Sequence, residues 1–164
     1  MPKEIERRFL VRSLDQGLLP APERVIQIEQ GYLELRDMNR TLRVRICDGR
    51  EAYLAMKLGK GIERDEIPSP LGLELARLLM SLCKYKLKKE RRVIQGWEID
   101  TFKPPLEGII IAERELASRD EKLVLPPWFK DAIEVTDTLT NRQLARLASE
   151  LGDAVLQEVL KRVL

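Results

Sequence analysis

The segment EIERRFLV, residues 4–11, alternates charged and apolar side chains as a half-buried β-strand does. Successive side chains of a strand point to opposite faces, so Glu4, Glu6 and Arg8 share one face while the isoleucine and phenylalanine share the other. The segment TLRVRI, residues 41–46, repeats this pattern, with Arg43 and Arg45 opposite three aliphatic residues. We therefore expect antiparallel strands with one charged and one apolar face.

The same pattern along the chain predicts a single α+β domain spanning residues 1–164. Apolar residues at helical spacing predict a helix at 70–82 and a C-terminal helical segment from about 140 to 164. Asp48-Gly49 predicts a tight turn, and the two prolines of LVLPPW, residues 123–128, predict an irregular loop. Strands are predicted at 4–12, 24–35, 40–47, 51–58, 62–67, 83–90, 93–102 and 108–116.

Composition excludes several kinds of chemistry. The 164 residues include 29 Lys and Arg, 27 Asp and Glu and no histidine, for a formal net charge of +2. Without histidine there is no Ser-His-Asp triad and no His-ligated metal, and the small net charge argues against a nucleic-acid-binding protein. Cys47 and Cys83 are too few for a disulfide framework or a four-cysteine zinc site and are expected to be reduced thiols of a cytoplasmic protein. No segment approaches the ~20 apolar residues of a membrane span, so no membrane partner is expected.

The charged strand faces are segregated by sign. Glu4/Glu6 and Glu113/Glu115 are carboxylate pairs, and Arg43/Arg45 and Lys84/Lys86 are cation pairs. An ordinary solvated face more often mixes the two signs to form cross-strand pairs. A closed barrel with these faces inside and helices covering its apolar exterior would bring both sets into one cavity.

Such a cavity is suited to phosphate chemistry. Two glutamates two residues apart on a strand lie ~6.6 Å apart along it and, with a second pair, can surround a hard divalent cation. Without histidine ligands, oxygen-ligated Mg²⁺ or Mn²⁺ is the expected metal. Arginines and lysines would hold a polyanion, as in phosphoryl transfer. The chain has no G-x-x-x-x-G-K-[ST] sequence and so is not a P-loop protein.

Several ordered segments resemble one known family. EIERRFLV is similar to the E-x-E-x-K opening of the CYTH superfamily, the triphosphate tunnel metalloenzymes. The further matching segments, in the family's order, are IEQGYL (28–33), TLRVRI (41–46), YLAMK (53–57), WEIDTF (97–102), AERELAS (112–118), PPWF (126–129) and EVT (134–136). The resemblance implies a closed tunnel of eight antiparallel strands and Mg²⁺- or Mn²⁺-dependent hydrolysis of an inorganic or organic triphosphate. Some members are instead class IV adenylate cyclases.

The resemblance also implies roles for individual residues. Glu4, Glu6, Glu113 and Glu115 would bind metal, Glu4 and Glu6 also being catalytic. The residues implied to bind the triphosphate are Arg43, Arg45, Lys57, Arg64, Lys84 and Lys86. Further tunnel positions are Glu66, Asp100 and Glu134, the last without an assigned role. Arg8 stands where the family has a lysine and is predicted to be catalytic, with altered reach and geometry.

Alternative functions stay open at this point. A cyclase would use the same cavity on ATP, a non-catalytic module would bind polyphosphate or nucleotide without turnover, and an RNA-binding barrel would use the cation pairs alone. The RNA-binding alternative is disfavoured because aromatic residues make up 5% of the chain. Apolar residues from Leu144 to Val159 recur at helical spacing and are expected to pack on the barrel, with a homodimer surface as the alternative.

Overall fold

The computed structural model describes residues 3–36, 40–59 and 62–164. Over these residues the chain forms nine strands and three helices, with a short 3₁₀ turn at Gly152–Ala154. The strands are β1 (Lys3–Leu14), β2 (Arg24–Leu33), β3 (Arg40–Cys47), β4 (Glu51–Leu58), β5 (Glu63–Leu71), β6 (Tyr85–Ile94), β7 (Trp97–Phe102), β8 (Ile110–Glu115) and β9 (Phe129–Glu134). The helices are α1 (Leu73–Leu82), α2 (Asn141–Leu151) and α3 (Val155–Val163).

Eight of these strands close into an antiparallel barrel, which confirms the predicted fold. The order is β5-β4-β3-β2-β6-β7-β8-β1, and β1 pairs back onto β5. The closing seam is short: Lys3, Glu4 and Ile5 pair with Asp65, Arg64 and Glu63. Along the same edge of β1, residues Phe9 to Leu14 pair with β9, an additional strand that the sequence patterns do not predict.

The predicted segregation of faces is present in β3. Arg43 and Arg45 face the interior of the barrel, whereas Val44 and Ile46 are buried on the outside in a cluster with Ala76 and Met80 of α1. Helix α1 thus covers the apolar exterior of this wall, as predicted. Its start differs from the prediction because the chain through Pro68 and Pro70 continues as β5, and α1 begins only after Gly72.

A second apolar cluster covers the outside of β1, β7 and β8. Phe9, Trp97 and Phe129 stack edge to face within it, and Trp128 packs against Phe129. Trp128 ends the predicted irregular loop at 123–128, which has no helix or strand in the structure. The aromatic residues here are packing residues rather than a binding surface.

Helices α2 and α3 pack on apolar side chains that point into the barrel. Leu10, Tyr32 and Leu87 come from β1, β2 and β6, and they form one cluster with Leu144 of α2 and Val159 of α3. The apolar stripe of the C-terminal segment therefore packs within the chain. Thr140 caps α2 with a reciprocal capping box: its hydroxyl accepts from the Gln143 backbone, and the Gln143 side chain accepts from the Thr140 backbone.

Two tight turns fix the hairpins of the sheet. Asp48 and Gly49 both have positive φ, 52° and 65°, as the predicted turn between β3 and β4 requires. Gln95 and Gly96 do the same between β6 and β7, with φ of 51° and 79°. The predicted strands left the break between them at residues 91–92 instead, and β6 therefore ends four residues later than predicted. Within the described residues, no helix is both long and apolar enough to cross a membrane.

Candidate active site

A cavity of about 490 Å³ lies inside the barrel and is lined almost wholly by polar and charged side chains. Among the described residues that line the cavity, Tyr32 is the one aromatic residue, and none is aliphatic. The acids on its wall are Glu4, Glu6, Glu66, Glu98, Asp137 and Glu113; the cations are Arg8, Arg43, Arg45, Lys57, Arg64, Arg91, Arg142 and Arg146.

The carboxylates of β1, β5 and β8 are crowded along one side of this cavity. Burial, followed by the charge of Glu113, raises the pKa of Glu6 to about 8, and Glu6 shares a hydrogen bond with Glu113. Glu4 accepts from Lys57 Nζ at 2.9 Å and is hydrogen-bonded to Glu66. Burial acts to raise the pKa of Glu4, but Lys57 outweighs it and the pKa is lowered. These contacts gather four carboxylates from three strands that are distant in the sequence.

Two arginines of β3 have unmet hydrogen-bonding capacity. Arg43 donates to Glu66 at 3.2 Å, but its buried Nε finds no partner among the described residues. Arg45 donates Nε and one Nη to the neutral Gln30 amide oxygen, at 3.0 and 2.9 Å. Burial and the charge of Arg43 lower the pKa of Arg45 to about 10. A bound anion would satisfy both guanidinium groups, because cations in a low-dielectric site need a counter-charge.

Lys89 and Arg91 of β6 face the interior, although the sequence patterns predicted neither as a site residue. Arg91 lines the cavity and donates to Asp100 at 2.7 and 2.8 Å and to Glu98, while Lys89 is fully buried and donates to Asp100 at 2.6 Å. Burial would raise the pKa of Asp100, but Arg91 and Lys89 lower it below its usual range. Asp100 is therefore the ionised centre of this network and lies behind the cavity wall.

Lys84 and Lys86, predicted to bind substrate, lie on the outside of the barrel. Lys84 is highly exposed and lies 3.9 Å from Glu34, and Lys86 is exposed beside α1. The prediction chose the wrong phase of β6, because placing Lys84 and Lys86 inside the barrel puts Tyr85 and Leu87 on its outer face. They instead face α2 and α3 inside the barrel, which turns the alternate lysines outward. The glycine of the Gln95-Gly96 turn was the signal that could have extended β6 as far as Arg91.

Two acidic residues also fall outside the cavity wall. Glu115 is exposed at the end of β8, two residues beyond Glu113. Glu134 lies on the outer side of the sheet and accepts two hydrogen bonds from Arg7, at 2.8 and 2.9 Å. The remaining predicted residues, Glu4, Glu6, Arg8, Arg43, Arg45, Lys57, Arg64, Glu66 and Glu113, all line the one cavity.

Arg8 lines the cavity but is engaged by the protein through each of its three guanidinium nitrogens. Nη1 donates to Glu113 at 2.7 Å, Nε to the Leu139 carbonyl at 2.7 Å, and Nη2 to Asn141 Oδ1 at 2.7 Å. Burial would raise the pKa of Glu113, but Arg8 first and then Arg91 hold it well below its usual range. Arg8 thus forms one ion pair, with Glu113, and two further hydrogen bonds within the protein.

The first turns of α2 form another part of the wall that sequence patterns did not predict. Asn141, Arg142 and Arg146 line the cavity from this helix. Arg146 also pairs with Glu150 on its own helix at 2.9 Å. The apolar stripe predicted that α2 packs on the barrel, but nothing in it indicated that the N-terminal turn reaches the bore.

The chemistry of the acidic set fits a hard divalent cation. Glu4, Glu6, Glu66 and Glu113 offer carboxylate oxygens, the ligands that Mg²⁺ and Mn²⁺ prefer, and a cation among them would relieve their mutual repulsion. Within the described ranges, no three acidic or sulfur side chains are arranged as a ready-formed metal cluster. Glu4 already accepts a hydrogen bond from Lys57, and Glu113 accepts one from Arg8. A metal ion would therefore share these two carboxylates with the two cationic side chains.

A closed antiparallel barrel with a carboxylate cluster and many arginines and lysines in its bore defines an anion-binding tunnel protein. The chain belongs to the CYTH domain family, which matches residues 2–132. The match ends within β9, so α2 and α3 follow it.

Individual relatives agree with this assignment. The inorganic triphosphatase of Acetivibrio thermocellus is 34% identical over 141 residues, which cover 78% of this chain and 83% of the relative. The crystal structure of the inorganic triphosphatase NE1496 matches with a TM-score of 0.60 at 26% identity and covers 88% of this chain and 95% of that one. A conserved hypothetical protein of Pyrococcus furiosus matches with a TM-score of 0.53 at 19% identity, over 98% of this chain and 90% of its own, and supports the fold alone.

Proposed function

We propose that the protein hydrolyses inorganic triphosphate in a reaction that depends on Mg²⁺ or Mn²⁺. The observation that carries the proposal is the unmet capacity of Arg43 and Arg45, which face a cavity rich in other cations and beside a carboxylate cluster. The 34% identity to an inorganic triphosphatase supports the same reaction.

The lining favours a substrate without an organic group. Charged and polar side chains surround the cavity, and the ring of Tyr32 is buried, with its hydroxyl hydrogen-bonded to Gln30. The described part of the wall thus carries no aliphatic residue, and its one aromatic ring is buried, so it has no exposed ring on which a nucleobase or a thiamine ring could stack. Inorganic triphosphate would pair with the cations of the wall and has no organic group that would need an apolar surface.

In the proposed reaction, water attacks the terminal phosphorus in line, and the bond to the bridging oxygen breaks to release phosphate and diphosphate. Such a transition state is loose, so catalysis depends on positioning and charge stabilisation. Arg43, Arg45 and Lys57 would orient the phosphate oxygens and offset their charge. Glu4, Glu6, Glu66 and Glu113 would hold the divalent cation, which when bound neutralises charge on the phosphoryl oxygens. Glu115 and Glu134 would take no part in this reaction, because both lie outside the cavity wall.

The test combines substrates and metals with one matched pair of variants. Triphosphate and ATP are each incubated with Mg²⁺, Mn²⁺ or EDTA, and phosphate, diphosphate and cyclic AMP are measured. We expect metal-dependent phosphate release that is faster from triphosphate than from ATP. Cyclic AMP with diphosphate from ATP would instead establish a cyclase, and metal-assisted binding without any product would establish a non-catalytic module.

Arg45→Ala and Lys84→Ala separate the cavity from the outer surface. Arg45→Ala should lower kcat/KM by about ten- to hundredfold, since a hydrogen bond to a charged group contributes ~1.5–3 kcal/mol. Lys84→Ala should leave kcat/KM within about twofold of the parent, because an exposed charge contributes little. Equal losses in the two variants would contradict the cavity as the site of reaction.

A further inference from the structure

Arg8 joins its own strand to two parts of the chain that are far away in sequence, β8 and the start of α2. Its guanidinium contacts β8 through Glu113, the segment before α2 through the Leu139 carbonyl, and the first residue of α2 through Asn141. The backbone of Arg8 is also tied to the segment after β9: its N–H donates to Thr136 Oγ1 at 3.0 Å, and its carbonyl accepts from Val135 at 2.8 Å. Only 5% of Arg8 is exposed, so these contacts are largely shielded from water.

The geometry of these contacts requires a guanidinium group. Each acceptor is reached by a different nitrogen of one planar group, at 2.7 Å in all three cases. A lysine carries its donors on a single nitrogen and cannot meet three acceptors spread around a planar fork. Arginine at this position is therefore matched to the Leu139 carbonyl and the Asn141 side chain.

We infer that Arg8 is a positioning residue that holds Glu113 and the start of α2 in fixed relation, and not a residue that contacts the substrate. Each of its three nitrogens already donates to the protein, through three of the five N–H groups of a guanidinium, and only 5% of the residue is exposed, so Arg8 acts through the carboxylate and the helix that it holds. This inference deepens the proposed function and rests on it for its kinetic consequences, but its structural consequence stands independently.

Three variants test this role: Arg8→Lys, Asn141→Ala and the double variant, with Arg12→Lys as the control. Arg12 is the exposed arginine of the same strand, so its substitution changes the same residue type without touching the network. Hydrogen exchange is measured at the amides of residues 139–148, and kcat and KM for triphosphate are measured in the presence of Mg²⁺ and of Mn²⁺.

We expect Arg8→Lys and Asn141→Ala each to speed exchange at the start of α2 by about tenfold or more, and the double variant to add little, because both remove the same link. Arg8→Lys should lower kcat by about ten- to hundredfold and change KM less than threefold, as a displaced carboxylate would. Arg12→Lys should change neither quantity.

Two results would overturn the inference. One is unchanged exchange in α2 together with a raised KM, which would place Arg8 on the substrate. The other is a higher kcat in Arg8→Lys, which would show that arginine impairs the site. If the parent protein releases no phosphate from triphosphate, the proposed function fails, and the exchange measurement alone still decides whether Arg8 holds α2.

Discussion

Asp100 is the residue on which the buried charges of the barrel depend. Its two oxygens accept from Lys89 and Arg91, and neither Asp100 nor Lys89 has any exposed side chain. Arg91 in turn reaches Glu113 at 3.5 Å. The network thus fixes a cation of the cavity wall from behind, where no solvent can replace a lost partner.

Replacing this carboxylate should destabilise the protein strongly. Asp100→Asn leaves two buried cations short of a counter-charge, which typically costs about 3–5 kcal/mol. In a domain of this size each kcal/mol shifts Tm by about 2–4 °C, so we expect Tm to fall by roughly 6–20 °C in a thermal scan. The matched control is Glu134→Gln, which also removes a carboxylate bonded to an arginine on another strand, but on the surface. A similar fall in Tm in both variants would contradict the claim that burial makes the loss of Asp100 costly.

The strand β6 illustrates which elements sequence patterns can predict. The alternation of charged and apolar residues located the barrel strands and the inward faces of β1 and β3, because each of these two strands has an apolar face covered from outside. The inward position of Arg64 and Glu66 on β5 was instead implied by the family resemblance. At the start of β6 the arrangement is the opposite: the apolar Leu87 faces the inside of the barrel, under α2, and the charged Lys86 faces outward. Periodicity alone cannot distinguish the two phases, since choosing between them requires knowing that helices enter one end of the bore.

The close approach of α1 to β2 requires a glycine at position 31. A Cβ on Gly31 would lie 2.8 Å from both Cys83 Sγ and Met80 Sδ, which is closer than packed atoms allow. We expect Gly31→Ala to lower the free energy of unfolding by about 1–3 kcal/mol, as overpacking does, in urea titrations. At Gly72 the same substitution meets nothing within 4 Å, and it should change the free energy of unfolding by less than about 1 kcal/mol. If Gly31→Ala and Gly72→Ala had the same free energy of unfolding, this result would contradict the close approach of α1 to β2.

The attachment of β9 to β1 should depend on pH through Glu134. A hydrogen bond from Arg7 lowers the pKa of Glu134 below its ordinary value of 4.5. A carboxyl with a lowered folded-state pKa stabilises the fold above its ordinary pKa, and this stabilisation is lost as the pH falls through the lowered value. The parent should therefore be more stable than Glu134→Gln at about pH 7, by under ~1 kcal/mol, and should lose that advantage once the pH falls below the lowered pKa of Glu134. Urea titrations above and below this pKa measure the difference; an advantage that persists in acid would contradict it.

At the scale of the whole molecule, the bore is divided between two kinds of surface. Glu6, Glu113 and Arg43 line an open polar space, whereas Leu10, Leu87 and Ile111 pack under α2 and α3. Strands β1, β6 and β8 thus pass from charged to apolar residues along their inward faces. The sequence segments that resemble the family come mainly from the charged part, and they therefore predicted the acids and the β3 arginines of the site but not its α2 wall.

The seam between β1 and β5 sets an order of events during synthesis on the ribosome. Strand β1 precedes its partners in the chain: Lys3 meets Glu63, Arg8 meets Glu113 and Arg7 meets Glu134, separations of 60, 105 and 127 residues. None of these pairings can form until the later strand has been translated, at roughly 5–20 residues per second. The nascent chain must therefore carry β1 with an unpaired edge for several seconds. The arginines and glutamates along that strand keep the exposed edge charged and so discourage its pairing with other chains.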